Sequence, residues 1–316
     1  MNWRLRVPAS SANLGPGFDA LGLALDIHLT CTFSPAASLS ISAAGLDAAE
    51  IPLDETNLIW QTALRVADDV GQKLPFLDLQ IANDIPLGKG LGSSAAALTA
   101  GVVIADKLLN LNWSRHRILD EAAQIEGHPD NVSACVLGSI VASSIDSKGI
   151  THAVRLELPS NYGVAVVVPD FPLPTVQARA VLPASYSRED VVFNVQRSAL
   201  LIAALCTGST ESFSAALEDR VHQPYRAHLI PGFSEMLELR ASGLLGCALS
   251  GAGPSVLVFY ERGQEDVTAL FEESFARHGH AAKTFFTEIQ RTGFCIDEAQ
   301  PGSASDPTLG SPQVHV

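Results

Sequence analysis

Pro86-Leu87-Gly88-Lys89-Gly90-Leu91-Gly92-Ser93-Ser94-Ala95-Ala96-Ala97 lies where one periodicity gives way to another. Upstream, Leu77, Leu79 and Ile81 alternate with polar residues, the pattern of a half-buried strand. Downstream, Ser93 to Leu109 is rich in Ala and Leu without an internal proline and reads as a helix, weakened slightly by Gly101. Glycines at alternate positions permit positive φ, so successive main-chain N–H groups can turn toward one point. The following helix adds its unpaired amides and the positive end of its dipole. The hydroxyls of Ser93 and Ser94 suit a phosphate or a Mg²⁺ ion, which takes hard oxygen ligands. The order is not GxxxxGK[ST], because the lysine precedes the last two glycines. Alone, such a stretch is equally a Gly/Ser-rich connection; between strand and helix it reads as a phosphate loop.

Two further segments share its character. Pro8-Ala9-Ser10-Ser11-Ala12-Asn13-Leu14-Gly15-Pro16-Gly17-Phe18-Asp19-Ala20-Leu21-Gly22 combines small residues, an amide and a carboxylate. Asn13 and Asp19 read either as turn residues satisfying their own backbone or as holders of a substrate ammonium and hydroxyl. Leu249-Ser250-Gly251-Ala252-Gly253-Pro254-Ser255 reads as a tight turn between strands, whose backbone approaches a ligand or buttresses the phosphate loop.

The rest of the chain sets limits. It has 316 residues, enough for two domains, and is 47% hydrophobic but only 17% charged, which excludes a disordered or fibrous protein. With 20 Lys+Arg against 34 Asp+Glu, the net charge of −14 lacks the basic footprint of a nucleic-acid or anionic-membrane binder. No run approaches ~18 consecutive apolar residues, so no membrane span is expected. The five cysteines are scattered without a CxxC pair, and the N-terminus has no apolar secretory core. A cytoplasmic location is the expectation, and the low charge fraction is compatible with a homodimer. Ser114 caps an expected helix to about Glu126, and Asn194 to Leu205 reads as an apolar-faced helix. A composition break near Pro159 divides residues 1–159 from 160–296. Residues 297–316, rich in Pro, Ser and Gly, read as a flexible tail.

Together, SSANLGPGFDALGLAL, PLGKGLGSSAAAL and LSGAGPSVLVF resemble, in order and spacing, the GHMP kinase superfamily over about residues 3 to 290. The branch most similar is the homoserine kinases, through Asn-Leu-Gly-x-Gly-Phe-Asp in the opening motif, Glu126-Gly127-His128-Pro129-Asp130-Asn131-Val132, Phe193-Asn194-Val195-Gln196-Arg197 and Gln223-Pro224-Tyr225-Arg226. The resemblance implies an α+β, two-domain GHMP kinase fold. Its N-terminal domain binds ATP and contains a left-handed βαβ unit; its C-terminal domain is ferredoxin-like, and the active site lies between them.

It also implies transfer of the γ-phosphoryl group of ATP to L-homoserine. Residues Pro86 to Ala96 would then wrap the phosphates, and Ser94 and Glu126 would hold Mg²⁺; Gln124, two positions away, would fall on another helix face. Asn13, Asp19, His128, Asn131 and Thr175 would line the amino-acid pocket, with Arg179 and Arg226 gripping its carboxylate. Relatives acting on mevalonate or galactose place a catalytic aspartate near Asn131. An amide cannot take a proton, so the expectation is that Asn131 and Arg179 orient the hydroxyl and steady charge, with Asp130 the competing assignment. His222 and His228 flank the Arg226 segment without a role. The alternatives are another GHMP small-molecule kinase, acting on mevalonate or an amino alcohol, and a non-catalytic nucleotide or amino-acid sensor.

Overall fold

The computed structural model describes residues 1–159 and 161–299. The first half runs β1 (Trp3–Ala12), β2 (Leu21–Pro35), β3 (Ser40–Gly45), α1 (Leu58–Asp69), β4 (Leu77–Asn83), α2 (Ser93–Leu109), α3 (Arg115–Glu126), α4 (Asp130–Leu137), β5 (Ile140–Ile145) and β6 (Thr151–Leu156). The second runs β7 (Tyr162–Pro169), α5 (Thr175–Ala180), α6 (Arg188–Thr207), α7 (Phe213–Ala216), α8 (Gln223–Arg226), α9 (Phe233–Leu237), β8 (Leu244–Leu249), β9 (Val256–Glu261), α10 (Ala269–Arg277), β10 (Ala282–Thr287) and β11 (Cys295–Glu298).

The alternation at Leu77, Leu79 and Ile81 becomes β4, with all three side chains buried. β4 lies beside β3 in parallel, joined through α1 as a βαβ crossover. The sheet order is β11-β1-β2-β4-β3, and β5 and β6 extend it from β2. Fifteen residues let β2 serve two neighbours on its edge away from β1, Leu29–Pro35 pairing with β4 and Leu21–Leu23 with β5.

α2 spans the expected Ser93–Leu109 and is buried almost all round. Gly101 has a packing reason to be there: a Cβ would lie 2.5 Å from Thr62 Cβ and 2.7 Å from the Ile59 carbonyl, so its absence lets α1 and α2 approach closely. The Ser114 hydroxyl accepts from Arg117 N at the start of α3, whose Ile118, Leu119, Ala122 and Ala123 face the core.

In the second half β10-β7-β9-β8 form an antiparallel sheet. Strands first-to-last in this half thus lie in the order fourth, first, third, second, with α6 and α10 in the two connections, which is ferredoxin-like topology. Tyr162, Val164 and Val166 face the core shared with the first half, together with Leu201, Leu205 and Phe213. Val167 faces a second cluster built on Phe233, Phe271 and Phe275. α6 extends beyond the expected Asn194–Leu205 at both ends. By length and composition it is the one candidate span among the described residues, yet its Asn194 is buried against Pro16 and Asp219.

The chain then returns. Asp297 and Glu298, expected to begin the flexible tail, instead pair with Arg4 and Trp3 in β11, because the outer edge of β1 offers free backbone groups. Residues 300–316 of that tail lie outside the described residues.

Candidate active site

Gly88, Gly90 and Gly92 all adopt left-handed φ, at 66°, 79° and 66°. At Gly90 and Gly92 the glycine is also required by contact. A Cβ on Gly90 would lie 2.3 Å from the Ser250 carbonyl, and one on Gly92 2.1 Å from Ser10 Oγ. Gly92 leads into α2, and no side chain caps that helix, so its first amides face the cleft unclaimed by a cap.

The late glycine-rich turn buttresses this loop. Ser250 Oγ donates to the Gly90 carbonyl at 2.7 Å, and Ser255 N to the Lys89 carbonyl at 3.3 Å. Leu173 N donates to the Gly88 carbonyl at 3.3 Å. Lys89 reaches away, donating from Nζ to the Pro169 carbonyl at 3.0 Å, so its ammonium ties the loop to the end of β7. Leu91, Ala95 and Ala96 are buried, as is Pro86, and Leu87 N donates to Asp47 Oδ2; these residues offer the cleft main chain at most.

The loop faces a cleft of about 290 Å³ that Asn13, Asp19, Ser94, Glu126, His128, Asn131, Thr175, Arg179 and Arg226 also line. Three elements deliver these groups. The first is the turn after β1. Asn13 and Leu14 take left-handed φ, and the Asn13 carboxamide accepts from Asp19 N at 2.9 Å while donating to the Gly251 carbonyl at 2.9 Å. Asn13 is thus committed to shaping the turn, which presents Asp19.

The second element is the α3–α4 junction. Ser94 Oγ lies 3.4 Å from Glu126 Oε2, bringing the two expected metal ligands together, whereas Gln124 is exposed off the cleft. Burial raises the Glu126 pKa and the Asp130 charge adds to it, while His128, Ser94 and Arg179 oppose. His128 Nδ1 lies 2.7 Å from Asp130 Oδ1. Burial works to lower the His128 pKa, but the hydrogen bond and charge of Asp130, with Glu126, outweigh it and raise the net value. Asn131 Oδ1 accepts from Ser10 Oγ at 2.9 Å, leaving its NH₂ for the cleft.

The third element is α5 with α8. The Arg179 fork grips both oxygens of Asp19, at 2.8 and 3.2 Å, so it pairs with protein carboxylate. The hydrogen bond to Asp19 raises the Arg179 pKa. Arg226 differs. It is 1% exposed, and among the described residues it hydrogen-bonds to the carbonyls of Ala178 and Gly251 and the imidazole of His222, all uncharged. Burial, then the neighbouring Arg179 charge, lowers its pKa to about 10. A guanidinium in that setting is complementary to an anion arriving in the cleft.

Asp19, His128 and Asp130 also cluster closely enough to share a cation. Asp19 is engaged by Arg179 and Asp130 by His128 and Asn131 N, and an imidazole is a poor partner for a hard ion. The all-oxygen pair Ser94 and Glu126 fits Mg²⁺ better.

Asp130, Leu173, Pro174, Gly251 and Ala252 line the cleft without having been assigned to it. In the sequence Asp130 competes only with Asn131 for a role, and Gly251 and Ala252 sit in a turn that reads as approaching a ligand. Leu173 and Pro174 carry no signal beyond a proline. His222, left without a role, stands fully buried beside Arg226.

Residues 57–139 match the family model for the GHMP kinases N terminal domain, and residues 201–276 that for the GHMP kinases C terminal. A homoserine kinase of Solibacter usitatus is 65% identical over 94% of this chain and 98% of its own length. One of Deinococcus radiodurans is 42% identical over 94% and 97%. Among solved structures, a homoserine kinase from Cytophaga hutchinsonii superposes with a TM-score of 0.81 at 26% identity, covering 94% of this chain and 97% of that one. The Lactococcus lactis galactokinase complexed with galactose, 16% identical with a TM-score of 0.66 over 93% and 95%, shares the fold.

Proposed function

The chain belongs to the homoserine kinases of the GHMP kinase superfamily and is an ATP-dependent small-molecule kinase, and from that premise we propose how its cleft carries out the transfer. The γ-phosphoryl group of ATP moves to the hydroxyl of L-homoserine, giving O-phospho-L-homoserine on the route to threonine.

The glycine loop, residues 88–94, and the uncapped start of α2 receive the phosphates through main-chain amides. Ser94 and Glu126 hold Mg²⁺, which supplies neutralisation of phosphate charge. Arg226 takes the amino-acid carboxylate, and Asp19, held in place by Arg179, takes the ammonium. The Asn131 NH₂ donates to oxygen at the transferring group.

None of these groups is suited to be a strong base. Asn131 is an amide and cannot take a proton, and His128 is tied through Nδ1 to Asp130, whose hydrogen bond and charge raise its pKa against the effect of burial. Phosphoryl transfer needs positioning and charge neutralisation more than proton abstraction, so the hydroxyl proton leaves late, to solvent or a phosphate oxygen. We place the protein in the cytoplasm, where its free cysteines stay reduced.

One observation carries this reading: a buried guanidinium, Arg226, whose hydrogen-bond partners among the described residues are all uncharged, on the cleft wall facing a phosphate loop. Release of ADP from the purified protein, measured over homoserine, mevalonate and sugars, tests it. Turnover with homoserine is expected; equal or faster turnover with mevalonate or a sugar overturns the substrate assignment.

A further inference from the structure

His222 stands fully buried four residues before Arg226. Its Nε2 lies 2.7 Å from the Gly15 carbonyl and its Nδ1 3.2 Å from Arg226 Nη1. These partners permit one protonation state. A carbonyl oxygen only accepts, so Nε2 carries the hydrogen; a guanidinium only donates, so Nδ1 presents its lone pair. The ring is neutral, and burial, the largest influence on it, lowers its pKa in the same direction.

Its surroundings hold it rigidly. Phe18 stacks on the ring with centroids 5.3 Å apart and lies 5.4 Å from the Arg226 guanidinium carbon. Asp219, 3.6 Å from Nε2, is itself bound by the main-chain N–H groups of Val221, His222 and Gln223 and by the Asn194 amide. The imidazole therefore joins two parts of the cleft that come from opposite halves of the chain.

We propose that His222 is a positioning residue for amino-acid recognition. Its Nδ1 lone pair sets the Arg226 guanidinium, and its Nε2–H sets the Gly15 carbonyl of the turn that presents Asp19. One ring thereby ties the cation for a carboxylate to the turn that carries the anion for an ammonium. This rests on the reading that Arg226 receives the substrate carboxylate.

Steady-state kinetics on His222→Gln, His222→Asn, Arg226→Met and the double variant His222→Gln/Arg226→Met test it. Gln keeps a donor near the Nε2 position but loses the acceptor toward Arg226; its homoserine KM rises about tenfold while its ATP KM stays within about twofold. Asn keeps an acceptor near Nδ1, so its homoserine KM recovers to within about threefold of the parent's, which also serves as the readout if Gln does not fold. In the Arg226→Met background, His222→Gln adds little, because the group it positions is gone. Equal rises in both KM values, or effects that simply add in the double variant, overturn the positioning role. An unchanged homoserine KM in Arg226→Met instead overturns the carboxylate reading beneath it.

Discussion

Replacing Arg226 by Met separates what this side chain does for the fold from what it does for the substrate. The folded protein holds the guanidinium against its own preference: its pKa falls well below the ordinary guanidinium value, to about 10, a penalty of about 3 kcal/mol at neutral pH. That cost is present throughout the range below pH 10, where the group is charged in both folded and unfolded chains. Against it stand hydrogen bonds to Ala178 O, Gly251 O and His222 Nδ1, each worth about 1 kcal/mol. The two sums nearly cancel. Met has a similar length and no charge, so the ligand-free variant is expected to unfold within about 2 kcal/mol of the parent in a urea titration.

Homoserine binding has no such compensation. Loss of a buried charge-assisted pair costs about 2–5 kcal/mol, so the homoserine KM rises 30-fold or more. The ATP KM stays within about twofold, since the glycine loop is untouched. Coupled assay of ADP release gives both constants. Parallel rises in the two KM values, or a variant that is strongly destabilised with its homoserine KM unchanged, would refute the reasoning.

The glycines separate by contact. Gly90→Ala drives a Cβ into the Ser250 carbonyl and abolishes heat of ATP binding in calorimetry, whereas at Gly88 a Cβ meets only Pro172 at 3.8 Å and the cost is the ~1 kcal/mol of a left-handed residue. Ser94→Ala and Glu126→Gln each raise the Mg²⁺ concentration for half-maximal rate about tenfold in a Mg²⁺ titration, with homoserine KM little changed. Asn131→Ala lowers kcat by one to two orders of magnitude, a typical loss for a single donor to the transition state; near-normal turnover there, with activity abolished in Asp130→Ala, would transfer the role to Asp130. His28 is buried, and desolvation, then Arg6, lowers its pKa from 6.5 to about 4. Because the unfolded chain binds that proton more readily, its contribution is whole above pH 6.5 and is lost as pH falls toward 4, by up to about 3 kcal/mol; His28→Gln should flatten that part of the stability profile in urea titrations at stepped pH.

Local chemistry was legible wherever it decides the outcome. The bounds of α2 and the Ser114 cap follow from propensity and capping, and the three loop glycines take the φ their spacing suggested. The resemblance put Glu126 with Ser94, helix geometry put Gln124 on another face, and it is Glu126 that lies 3.4 Å from Ser94. What stayed hidden depends on residues far apart in sequence. Arg179 and Asp19 are 160 positions apart, so nothing local shows that the fork is taken by the protein's own carboxylate. Four residues are too short for a period to announce β11, and its pairing is set by the vacant edge of β1. His222 looks like any histidine until Gly15 and Arg226 settle which nitrogen carries the proton.

The glycine loop is hydrogen-bonded to three separate stretches of the second half, through Pro169, Leu173 and the Ser250–Ser255 turn. Swinging the halves apart like a clamshell would strip the nucleotide cradle of those supports at each opening. The cleft meets solvent along the flank at α5, where Thr175 is exposed and lines it. The nucleotide cradle thus stays fastened to both walls while the amino-acid side opens to solvent at Thr175.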